Sequence, residues 1–272
     1  MNWTQLISEI SGKTNLTVII LSVALLMART IPIIATSPIF GGELIEAEVK
    51  IGISLLLSLV LLPGLLDQSK GIIPSAFPFI GLLLKEVFIG LSLSFVVSIV
   101  FEAARVAGGI VDTLSGFNMA QVMVPQLQQQ VTIFSNLKLQ ISITLFLTLD
   151  GHHRVIEALA DSFVAIPLDK YPAFSHGAWP FFELILRVFG DLLKIGLAIG
   201  APAYLATFIT DMSFGFVNRV APQVQVYFMS MGLKPMVAIA MVMISLNLVG
   251  VRLVHEFRGM FRVLSEAVRL LS

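Results

Sequence analysis

The 272-residue sequence contains no cysteine and very little charge. Without thiols there is no disulfide staple and no thiolate metal site. Asp, Glu, Lys and Arg together make up 12% of the chain, against about a quarter in an ordinary soluble domain. The 17 basic and 17 acidic residues cancel, and no cluster of Lys and Arg marks a nucleic-acid footprint. A nucleophile elbow of the G-x-S-x-G type is missing, as are the phosphate-binding loop and the dinucleotide fingerprint. No pair of carboxylates stands placed for hydrolysis, so the sequence carries no enzyme signature and implies no cofactor. Residues 1–14 hold Glu9 and a single basic residue, Lys13. That is a poor signal-peptide start, and no small-residue cleavage site follows, so the first apolar segment is read as retained.

What is present is apolar: 57% of the residues are hydrophobic, in runs long enough to span a membrane. A span needs about 20 apolar residues, because hydrocarbon about 30 Å thick is crossed at about 1.5 Å per residue. Six segments qualify or nearly so: Leu16–Ala35, Ile51–Leu66, Ile80–Val100, Val131–Leu149, Phe181–Ile209 and Met236–Val251. Pro32 is expected to kink or end the first. The fold expected is all-α, a multi-helix integral membrane protein forming one domain over residues 1–272. Charges such as Arg29, Lys85, Glu86, Lys138 and Lys194 fall inside these segments. Charges in a span are costly and face a partner, a cavity or a water-filled path. Glu183, Arg187 and Asp191 stand four apart, a spacing that lets neighbours pair on one helix face.

Three connections are long: Glu102–Gln130, Asp150–Pro180 and Asp211–Pro235. Compact domains seldom keep loops of that length unless they have a function or are disordered. Alternation at Val224, Val226 and Phe228 reads as an extended piece. From about 253 to 271, apolar Leu253, Val254, Phe257, Met260, Phe261, Leu264, Val268 and Leu271 recur at helical period. This amphipathic C-terminal helix would lie on a membrane surface or against a partner. Its arginines outnumber its glutamates, which favours the cytoplasmic side.

Three stretches draw attention. Gly108, Gly109, Gly116, Phe117, Asn118 and Met119 combine close-packing glycines with large side chains, a mixture suited to a narrow constriction or to a kinked helix. Asp150, Gly151, His152 and His153 form the one histidine cluster. Adjacent helical residues point about 100° apart, which makes the pair a poor chelate, and capping of a helix end is the better reading. Arg219 stands before a turn with Pro222 and Gln223, positioned for backbone carbonyls or a partner carboxylate.

Taken together, A-G-G-I-V-D-x-x-x-G-F-N-M-A, D-G-H-H-x-x-I-x-x-L-x-x-S-F-x-x-x-P and G-F-V-N-R-V-A-P-Q-V-Q-V-Y-F resemble the FliR/SctT family. These are export-apparatus subunits of flagellar and virulence type III secretion systems. The likeness covers roughly Lys85 to Pro235. It implies helical hairpins packed into a hetero-oligomeric export gate with FliP/SctR-type and FliQ/SctS-type subunits in the bacterial inner membrane. FlhB/SctU-type and FlhA/SctV-type proteins would be further partners, and unfolded proteins the substrates. Gly108, Gly109, Gly116, Phe117, Asn118 and Met119 would then belong to a channel plug. Asp150, Gly151, His152, His153, Arg219, Pro222 and Gln223 would be subunit contacts or structural motifs. Lys85, Lys138 and Lys194 would meet other subunits. D-G-H-H resembles the flagellar branch and Asp211 ahead of G-F-V-N-R the virulence branch, towards which the balance leans.

Two other classes make distinct predictions. A secondary transporter would also carry intramembrane charges and broken helices, but no inverted repeat is found. A membrane metallohydrolase would use His152 and His153 and bind metal stoichiometrically.

Overall fold

The computed structural model describes residues 16–40, 45–69, 76–117, 122–124, 129–174 and 177–271. Seven α-helices lie among them: α1 (Leu16–Thr36), α2 (Ala47–Ser69), α3 (Ala76–Ser115), α4 (Ile133–Thr148), α5 (Gly151–Ala165), α6 (Trp179–Val220) and α7 (Val226–Leu271). A two-stranded antiparallel hairpin, β1 (Val122–Val124) with β2 (Gln129–Val131), pairs Val122 with Val131 and precedes α4. Among the described residues the regular structure is otherwise helical. Five helices, α1, α2, α3, α6 and α7, are long and apolar enough to cross a membrane.

The apolar runs locate the helices, but the helices outrun them. α3, α6 and α7 have 40, 42 and 46 residues, or about 60, 63 and 69 Å at 1.5 Å per residue. Each is about twice the thickness of membrane hydrocarbon. The three connections expected as long loops are mostly helical: α3 continues to Ser115, α5 fills 151–165, and only residues 221–225 separate α6 from α7. Some glycine and polar residues in these helices pack against neighbours, as Gly108 and Asp112 do, while others such as Gly215 and Asn218 are exposed, so composition there does not report a loop. Val226 and Phe228 belong to the start of α7, and five residues of alternation are too few to separate strand from helix. α1 runs through Pro32 to Thr36. Its Pro32 carbonyl accepts hydroxyl hydrogen bonds from Thr36 and Ser94. The amphipathic C-terminal segment is the end of α7, not a separate helix. Its Leu253, Phe257, Met260, Leu264, Val268 and Leu271 are buried within the chain itself, so this face is not a free membrane-binding surface.

The chain forms two compact units. One contains residues up to 98, 152–185 and the end of the chain from 261. In it α1 packs along α2, where buried Thr30 and Ser58 place their hydroxyls 3.4 Å apart. Leu25, Leu26, Ile33, Ile34, Ile89, Leu93 and Phe163 are among its fully or nearly buried side chains. Gly90 lets α3 approach α1, since a Cβ there would overlap the Arg29 carbonyl.

The other unit contains residues 99–151 and 186–260. Phe101, Phe146 and Phe257 form a buried triangle with centroids 5.0–5.3 Å apart. Tyr204 on α6 donates its hydroxyl hydrogen bond to the Ala107 carbonyl on α3 at 2.9 Å, which satisfies its polar end inside the core. Gly108 faces α4 so closely that a Cβ would overlap the backbone of Phe134 and Ser135, whereas Gly109 has open space. Backbone cannot swing away as a side-chain tip can. Gly108→Ala is therefore expected to cost about 1–3 kcal/mol through overpacking. Gly109→Ala should gain up to about 1 kcal/mol in helix propensity. Thermal unfolding of the two purified variants should show shifts of opposite sign.

Candidate functional site

The glycine-rich run spans the end of α3 and the chain beyond it. Gly108 and Gly109 lie inside the helix, and Gly116 ends it with φ +81°, a left-handed conformation that glycine adopts without strain. Phe117 follows and packs, half-buried, on Val111, Phe134, Ala203, Ala238 and Val242. Its ring meets Phe134 edge-on, with centroids 5.1 Å apart. Asn118 and Met119 lie outside the described residues. The chain from Gly116 to Thr132 thus leaves α3, includes the β1–β2 hairpin, and returns at α4.

That return point has an unusual cap. The first N–H groups of a helix lack intrahelical acceptors, and Thr132 at the N-cap of α4 makes no side-chain hydrogen bond to them. Asp112 of α3 does so instead. Its two carboxylate oxygens accept from the Phe134 and Ser135 N–H groups at 3.1 and 2.9 Å. Asp112 is fully buried, and an anion at a helix N-terminus also meets the favourable end of the dipole. Lys138, buried one turn further along α4, is the opposing charge. The Ser135 hydroxyl donates to the Arg105 carbonyl at 3.0 Å. Nothing in the sequence pattern flagged this cap, because the donors are backbone groups of residues 22 and 23 positions later.

A second buried polar centre lies in the other unit. Arg29, fully buried on α1, donates Nε to Glu86 Oε2 at 2.5 Å. It also donates to the carbonyls of Ser162 and Ile166 at 2.7 and 3.0 Å, and its guanidinium lies 4.1 Å from the centroid of the Phe163 ring. Lys85 forms an ion pair with the other Glu86 oxygen, and its ammonium donates to the carbonyls of Pro167, Leu168 and Lys170 at 3.0–3.2 Å. Two cations and one carboxylate therefore bind the end of α5 and the loop after it. Lys85 and Lys138 are buried within the chain, which corrects the expectation that they reach other subunits. Lys194 remains largely exposed and pairs with Asp191 at 3.0 Å.

The remaining motif residues sit at turns. Asp150 adopts φ 55° between α4 and α5, a conformation that Asp tolerates better than most residues. Gly151 is required because a Cβ would overlap the Phe146 ring. The His152 and His153 rings lie side by side, 4.1 Å between centroids, closer than the expected divergence of adjacent helical residues. Arg219, Pro222 and Gln223 are exposed at the tip of the α6–α7 hairpin, beside exposed Phe216, Val220, Tyr227 and Phe228. Asp211 and Lys234 pair across the hairpin below that tip.

Comparison with known sequences places these features in a family. The chain is 29% identical to "Flagellar biosynthetic protein FliR" of Pectobacterium carotovorum over 90% of this chain and 91% of that one. It is 29% identical to "Yop proteins translocation protein T" of Yersinia pestis, with 80% and 83% covered. "Secretion system apparatus protein SsaT" of Salmonella typhimurium matches at 26%, with 75% and 78% covered. Flagellar and virulence relatives thus match at similar identity, the flagellar protein over more of the chain. The family profile described as bacterial export proteins, family 1, matches residues 20–260. With membrane-length helices throughout that range, the chain is a multi-pass membrane protein that belongs to this family, the FliR/SctT family of type III secretion export components.

Proposed function

We propose that the chain is a non-enzymatic subunit of an export gate in the bacterial inner membrane. It assembles with FliP/SctR-type and FliQ/SctS-type subunits, adjoining FlhB/SctU-type and FlhA/SctV-type proteins, around a path for unfolded substrates. The observation that carries this reading is the apolar surface of α6 and α7. Leu186, Leu193, Leu205, Phe216, Met236 and Ile244 are among the residues exposed along these helices. Lipid covers only about 30 Å of such a surface, whereas the exposed apolar residues run the whole of α6, about 63 Å, and along α7 as far as Val251. The remainder needs protein partners, because large exposed apolar patches in water mark interaction sites. Arg29, Lys85 and Glu86 are engaged with one another and with backbone carbonyls, which removes charges that a solute transporter would use. The segment from Gly116 and Phe117 to Asn118 and Met119 acts as the plug of the resting path.

The test is purification of the tagged chain from its native membrane in mild detergent, followed by native mass and identification of co-purifying chains. A large complex with two further small hydrophobic subunits is expected. A folded monomer or homodimer without partners would overturn the assignment.

A further inference from the structure

A plug in the resting path must be held in place, and Asp112 is positioned to hold it. We propose that Asp112 is the positioning residue of the seal, acting through Phe134 on Phe117; this rests on the plug reading given above. Asp112 lies in the last turn of α3, just before the chain departs at Gly116. Its carboxylate holds Phe134 and Ser135 in the first turn of α4, just after the chain returns. One buried side chain therefore ties both stems of the 116–132 excursion.

Phe134 couples the tie to the seal. Phe134 offers its N–H to Asp112 and its ring edge to Phe117. Its ring is buried in the cluster with Val111, Ala203, Ala238 and Val242, on which Phe117 also packs. The start of α4 can shift only along directions that the Asp112 bonds permit, and Phe117 shifts with it. Gly108 reinforces the same crossing by letting the α3 backbone touch that of Phe134 and Ser135. Loss of the carboxylate leaves two buried N–H groups without acceptors and Lys138 without its counterion. That state favours separation of the stems.

The experiment uses the complete complex in native membranes and reads resting ion leak, with complex yield measured in parallel. The variant Asp112→Ala/Lys138→Met removes the tie without stranding a buried cation. Its leak is expected to rise about tenfold or more, because charge-assisted hydrogen bonds are the strong ones and their loss shifts the closed population by such factors. Asp112→Asn keeps one acceptor oxygen and should leak to an intermediate degree at normal yield. Phe117→Ala should leak as well. Combined with Asp112→Ala/Lys138→Met it should add little, since the two changes act on one coupled element. Fully additive leaks, or wild-type leak in both Asp112 variants at normal yield, would overturn the role of Asp112. Deletion of residues 116–120 is the separate control for the plug itself. If that deletion leaks while the Asp112 variants stay tight, the plug stands and the positioning role falls. If the deletion stays tight in an assembled complex, the plug reading falls.

Discussion

Glu86→Ala is expected to abolish the folded chain, measured as loss of the protein from the membrane fraction and of its thermal unfolding transition. Glu86 is the carboxylate shared by two buried cations, Arg29 and Lys85. Removing one partner of a buried pair costs about 3–5 kcal/mol, because the uncompensated charge stays behind. Here one deletion strands two charges. Total stabilities are about 5–15 kcal/mol, so the loss takes a large share of what holds this unit together. The control is the triple change Arg29→Met, Lys85→Met, Glu86→Met, which removes every charge at once. Apolar replacement of a complete buried cluster is often far milder than its disruption, so partial recovery of folded protein is expected. Equal loss in the control would show that the carbonyl contacts to Ser162, Ile166, Pro167, Leu168 and Lys170 matter more than the ionic balance. Normal folding of Glu86→Ala would remove the cluster from any account of stability.

Deletion of residues 116–120 is expected to turn a tight resting membrane into a leaky one while leaving the complex assembled. The deletion takes away Gly116, whose φ of +81° ends α3, and Phe117, which packs onto Phe134 and the α6–α7 hairpin core. The helices themselves keep their packing, since the Phe101, Phe146 and Phe257 triangle lies elsewhere in the same unit. Ion flux across vesicles carrying the assembled variant should rise from background to that of an open channel. Retention of the background flux at normal complex yield would sink the plug.

Helices were readable where hydrophobicity itself is the cause of the structure. The six apolar segments fall within α1, α2, α3, α4, α6 and α7 apart from fringing residues, because sustained apolar runs leave few alternatives. The period of Leu253, Phe257, Met260 and Leu264 identified an apolar face, but the sequence assigned it to a membrane surface or a partner, whereas the chain buries it itself. Helix ends were not readable in this way. α3 continues past Val100 through Glu102, Arg105 and Asp112 because Gly108 and the neighbouring alanines pack closely on other helices, and close packing is a property of the partner surface. The partner of Arg29 lies 57 residues away, and charge alone does not name it. Asp112 was harder still. Its acceptors' counterparts are amides, which every residue but proline carries, so the pairing leaves no mark in residue types. The D-G-H-H stretch straddles the turn from α4 into α5: Asp150 makes the turn, and the histidines lie in the first turn of α5 with their rings 4.1 Å apart.

The length of α6 and α7 also bears on how the cell must make this chain. An insertion machine releases a newly made helix into lipid while synthesis continues, and hydrocarbon shelters only about 30 Å of it. The exposed apolar surface of α6, which runs about 63 Å, and that of α7 as far as Val251 exceed this shelter and stand uncovered until companion subunits arrive. An orphan copy is thus a substrate for membrane quality control, and its lifetime becomes a timer on assembly. Abundance of the chain would then follow supply of its companions, not its own rate of synthesis.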